Sequence, residues 1–167
     1  MYQDYKDLLS AFHAHGVKYL IVGGFAVTFH AQPRFTRDMD LFIKADPANA
    51  QATYAALGGF DAPLQGICPE DFADRSSFFR FGRDPRGFDI LPAISGVDFD
   101  AAWERRVESI IDPATGLKAN FISADDLIAS KLASGRLQDI ADADAIRKAA
   151  ESQRAATKMK PADPEKW

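Results

Sequence analysis

The 167 residues are 47% hydrophobic and 26% charged, which excludes a largely disordered chain and fits one domain of the roughly 100–200 residues that can bury a sizeable core. A formal net charge of −4 excludes a protein that coats nucleic acid by charge alone, though local arginine clusters can still touch phosphates. Cys68, the single cysteine, excludes an internal disulfide and is read as packing in a reducing cytoplasm. The start, "MYQDYKDLLSAFHAHG", lacks the basic-then-apolar layout of a signal peptide, and "YLIVGGFAVTF" is far shorter than the roughly 20 residues that span a bilayer. The expectation is a soluble, cytoplasmic protein with no membrane partner.

In chain order, Tyr5, Leu8, Leu9 and Phe12 recur at helical spacing up to Gly16. "VKYLIV" reads as a buried strand ending at Gly23-Gly24, "FAVTFHA" as a short apolar helix that stops before Pro33, and "DMDLFIK" as the next strand. Asp46 then caps a helix with Pro47 at its first position, running to about Leu57. "SSFFRFG" and "GFDILPAI" flank the turn-rich "RDPR" as an antiparallel hairpin, in which Phe78, Phe79 and Phe81 are read as core.

"LKANFIS" is a further strand, and "SADDLIASKLASG" opens on a capping box with Ser123 as cap and Asp126 in the place usual for glutamate, closing at Gly135. A last helix spans about Leu137 to Arg154. This pattern predicts an α/β (α+β) fold with a mixed, twisted sheet and helices mainly on one face. Residues 1–150 form the domain, and residues 151–167 end in a polar, proline-bearing tail read as loose.

A glycine pair between strand and helix lets the backbone approach a ligand, and the helix that follows points unpaired N–H groups at the same place. Asp38 and Asp40, at i and i+2 of a strand, share a face with their Cα atoms about 7 Å apart. Crowded carboxylates suit a hard divalent cation, which in turn binds nucleotide phosphates. Asp89 sits between Phe88 and Ile90 in an apolar strand, so it needs a partner. If its hairpin adjoins the Asp38–Asp40 strand, it completes a three-acid site. The plainer reading makes all three acids solvated strand ends.

Val22, Gly23 and Gly24, thirteen intervening residues, Asp38-x-Asp40 and the later Asp89 resemble the pattern of the DNA polymerase beta-like nucleotidyltransferases. "RFTRDMDLFI" and "DDLIASKLASGRLQDIADADAI" are similar to a small bacterial branch that includes minimal nucleotidyltransferases and abortive-infection toxin relatives. The resemblance covers roughly residues 15 to 150. It implies a nucleotidyltransferase-like fold and transfer of a nucleoside monophosphate from a nucleoside triphosphate to an acceptor hydroxyl, with release of pyrophosphate.

It implies further that Asp38, Asp40 and Asp89 are catalytic and hold Mg2+ or Mn2+, and that Gly23, Gly24, Arg34, Thr36 and Lys131 bind nucleotide. Where the family often has serine, this chain has Gly24, leaving phosphate contact to backbone N–H groups. The acceptor is open among tRNA or other RNA, protein and small molecule, and a cognate antitoxin is a candidate partner.

Arg34 and Thr36 also read as loop residues, and Lys131 as a solvated lysine on a helix surface. Arg136, Asp139 and Asp142 are read as a structural ion-pair set, and His13 and His15, two apart on a helix, as no metal pair. The alternative function is a degenerate relative that keeps the fold as a binding or partner protein, with an unrelated metal-dependent phosphohydrolase behind it.

Overall fold

A computed structural model describes residues 1–83 and 86–159. Asp84 and Pro85 of the hairpin link, and residues 160–167 of the expected tail, lie outside the described residues. The helices are α1 (Gln3–Ala14), α2 (Gly23–His30), α3 (Pro47–Gly59), α4 (Phe99–Glu104), α5 (Ala124–Ser134) and α6 (Leu137–Met159). The strands are β1 (Tyr19–Val22), β2 (Met39–Ile43), β3 (Phe79–Phe81), β4 (Phe88–Leu91), β5 (Val107–Asp112) and β6 (Leu117–Phe121). No helix among the described residues is long and apolar enough to cross a membrane.

The six strands form one mixed sheet in the order β3-β4-β2-β1-β6-β5, with β1–β6 and β2–β4 parallel and the other pairs antiparallel. Alternation along the strands sorts side chains between two cores. Tyr19, Ile21, Met39, Leu41, Ile43, Phe88 and Ile90 meet Tyr5, Leu8, Leu9 and Phe12 of α1 and Leu57 of α3. Leu20, Val22 and Phe42 meet residues of α2, α4, α5 and α6. Four of the six described α-helices thus share one face, and α1 with α3 covers the other, so the sheet is buried on both sides.

Local signals account for the element ends. Asp46 accepts a hydrogen bond from the Asn49 N–H at 2.7 Å, and Ser123 accepts one from the Asp126 N–H at 3.1 Å. The structure adds three elements that the sequence reading lacked: α4, the exposed edge strand β5, and a 3-10 helix at Pro69–Ala73. It also carries the last helix five residues past Arg154, to Met159.

Two packing expectations are corrected. Phe79 and Phe81 join the core, but Phe78 is 65% exposed because it precedes the strand. Cys68 is exposed at the cap of the 3-10 helix rather than packed, and hydrogen bonding to Asp71, ahead of burial, raises its thiol pKa.

Candidate active site

The ends of β1, β2 and β4 build the site. The parallel register of β2 and β4 sets Asp40 directly beside Asp89, and the antiparallel register of β1 and β2 sets Val22 beside Asp40. Asp40 and Asp89 therefore project from the same sheet face, with Gly23 starting α2 next to them. Asp38 lies just before β2, and its carboxylate packs beside Gly87, where an added Cβ would fall 2.5 Å from Oδ1.

The glycine pair has two separate steric causes. Gly23 adopts a positive φ of +62°, and a Cβ there would lie 1.8 Å from Asp40 Oδ2. At Gly24 a Cβ would lie 2.5 Å from Thr36 Oγ1, so a serine side chain has no room beside Thr36. Thr36 Oγ1 in turn donates to the Asp38 carbonyl at 3.3 Å.

A cavity of about 310 Å³ opens at this end of the sheet, lined among others by Gly23, Asp40, Asp89, Ser130, Lys131 and Arg136. Gly24, Arg34, Thr36 and Asp38 are not part of that lining. A larger cavity of about 430 Å³, walled by Tyr5, Phe60, Phe81 and Phe88, contains none of the three acids.

Electrostatics separate the three acids. Burial, and next the Asp89 charge, push the Asp40 carboxyl up to about 6, with Lys131 opposing and Asp38 reinforcing the shift. Asp89 is buried and gripped side-on by Arg80, with Nε to Oδ1 at 2.8 Å and Nη2 to Oδ2 at 2.7 Å. Arg80 comes from β3, directly opposite Asp89 in the antiparallel register. Sequence reading missed it. The signal was available, since the hairpin places an arginine between two core phenylalanines opposite an aspartate between two core residues.

Lys131 is corrected from a surface lysine to a buried one. Its side chain is 10% exposed, and Nζ reaches Asp139 Oδ1 at 2.6 Å and Asp142 Oδ2 at 3.0 Å. Asp139 also takes hydrogen bonds from Ser134 and Arg136, and Asp142 pairs with Arg34 at 3.1 Å. Burial alone would raise the Asp139 carboxyl, but the bonds from Lys131, Ser134 and Arg136 outweigh it and hold the pKa near about 2. Arg34 thus ties the α2–β2 loop to α6, while Lys131 joins α5 to α6 and still lines the acid cavity.

Among the described residues no three His, Cys, Asp or Glu side chains converge as a ready-made metal cluster. The donor chemistry nevertheless suits a hard cation. Asp40 has no hydrogen-bond or ion-pair partner among the described residues and is crowded by two acids, and the position at Asp89 is already held by a cation, the guanidinium.

A mixed sheet with a glycine turn and paired acids at the ends of adjacent strands is consistent with a nucleotidyltransferase-like fold. A family model described as "nucleotidyltransferase of unknown function (DUF6036)" matches residues 3–150, and the chain belongs to that family. Comparison with curated proteins finds no match.

Proposed function

We propose that the protein transfers a nucleoside monophosphate from a nucleoside triphosphate to an acceptor hydroxyl. The observation that carries this reading is the Asp40 carboxylate, unpartnered among the described residues and in register with Asp89, on the wall of a cavity shared with Gly23 and Lys131. The acceptor oxygen bonds to the α-phosphorus, the bond from that phosphorus to the bridging oxygen breaks, and pyrophosphate leaves with the electron pair. Asp38, Asp40 and Asp89 are the residues that would hold Mg2+ or Mn2+, which when bound neutralises phosphate charge and lowers the pKa of the attacking hydroxyl.

The chain's own residues supply position and charge. Gly23 and Gly24 begin α2, whose N-terminal N–H groups suit a phosphate, with Gly23 on the cavity wall. Lys131 sets a positive charge on the cavity wall, and its two aspartates keep it in place. Thr36 fills the space beside Gly24, and Arg34 holds the loop that carries Thr36. Asp89 is the candidate acceptor of the hydroxyl proton.

The resemblance of the two longer motifs supports assignment to the small bacterial branch, with an RNA, protein or small-molecule acceptor and the toxin half of a two-protein system as its setting. A second reading, nucleotide binding without transfer, is favoured by the Arg80 grip on Asp89. The separating experiment incubates the chain with each α-labelled nucleoside triphosphate, Mg2+ or Mn2+, and a pool of RNA, lysate protein and small hydroxyl compounds. Label in one fraction, lost in Asp40→Asn, is the expected result. Nucleotide binding with no labelled product under any condition would select the second reading.

A further inference from the structure

Arg80 is placed where a structural ion pair gains little and a movable one has a use. Its strand lies at the edge of the sheet, its side chain is 62% exposed, and Asp89 is its only hydrogen-bonded side-chain partner among the described residues. The guanidinium can therefore rotate away without disturbing either core. While it stays, both Asp89 oxygens are engaged, and its positive charge opposes the approach of a divalent cation to that carboxylate. Without it, Asp89, Asp40 and Asp38 would stand as three acids faced, on the cavity wall, by Lys131 and Arg136.

The planar fork that fits a carboxylate side-on also fits a phosphate. We infer that Arg80 is a counter-ion latch: it holds Asp89 in the nucleotide-free protein, then yields that carboxylate to the divalent cation and moves its guanidinium onto a phosphate of the bound nucleotide. The inference rests on the nucleotidyltransferase reading above. It makes Arg80 a residue that opposes metal loading before nucleotide arrives and favours nucleotide retention afterwards. Metal and nucleotide binding are coupled through one side chain, so loading is ordered.

The test measures free Mn2+ by electron paramagnetic resonance during titration of the full chain. The proteins are wild type, Arg80→Gln, Arg80→Lys and Asp40→Asn. Each is titrated alone and with an adenosine triphosphate analogue whose α,β-bridging oxygen is replaced by methylene. Circular dichroism confirms that the variants fold.

Arg80→Gln is expected to bind Mn2+ alone about two- to fivefold tighter than wild type, the upper range an exposed ion pair supports. It should bind the analogue, at saturating Mn2+, more weakly by a similar factor, and Arg80→Lys should fall between. Unchanged or weaker Mn2+ binding in Arg80→Gln overturns the latch, as does tighter Mn2+ binding with unaltered analogue affinity. Failure of the underlying reading looks different: wild-type Mn2+ binding with the analogue would survive Asp40→Asn.

Discussion

At the scale of single residues, Asp40 is the least comfortable group in the site. Its neighbours on the strand, Met39 and Leu41, are fully buried, and Asp89 stands beside it across the sheet. The folded state favours the neutral acid, because burial and the neighbouring acids raise the carboxyl from 3.8 to about 6. Stability from this group is therefore complete below 3.8 and is lost as pH rises to about 6. Asp40→Asn should melt with wild type in acid and above it at neutral pH, the gap opening across that window in a series of thermal melts without metal. Equal or lower melting temperatures at neutral pH would show that Asp40 has a stabilising partner.

At the scale of elements, α5 and α6 are joined by charge as well as by packing. Lys131 on α5 faces Asp139 and Asp142 on α6, with both aspartate side chains only 4% exposed. Removing the lysine leaves two buried carboxylates with Arg34, Arg136, Ser134 and Gln138 as their remaining side-chain partners among the described residues. Lys131→Ala should thus cost about 3–5 kcal/mol in urea unfolding, as breaking a buried ion pair does. The helix-favouring effect of alanine, a few tenths of a kcal/mol at most, is too small to offset it. A loss below about 1 kcal/mol would mean that Lys131 stays solvated, as an ordinary exposed pair does.

At the scale of the whole molecule, the family match ends at residue 150, while α6 continues to Met159 with residues 151–158 exposed. Exposed residues on a helix extension bury little apolar surface, so they contribute little to the fold. A chain ending at residue 150 should retain the cooperative unfolding of the full chain, with its midpoint in urea lowered by less than about 1 kcal/mol equivalent. A broadened transition or a larger loss would show that the end of α6 is part of the cooperative unit.

Much of the architecture was legible in order. Apolar periodicity marked α1, β1, β2 and β6, and the caps at Asp46 and Ser123 marked α3 and α5. These are short-range effects, set by the residue itself and its next turn. The elements without such a signal were missed: β5 is an exposed edge strand with no apolar alternation, and α4 is only six residues long. The glycine pair, the D-x-D spacing and Asp89 are visible in the sequence, but Asp38 precedes β2 and does not line the cavity, and only the β2–β4 register sets Asp89 beside Asp40.

Partnership was decided by tertiary structure. Sequence position cannot say that Lys131 is enclosed by α6, that Arg34 meets Asp142, or that Thr36 fills the space beside Gly24. Nor could it say that Asp40 holds no partner among the described residues. The energy of a charge depends on which opposite charge the fold brings within a few ångströms and on how much water it excludes, and both are fixed only when the elements pack.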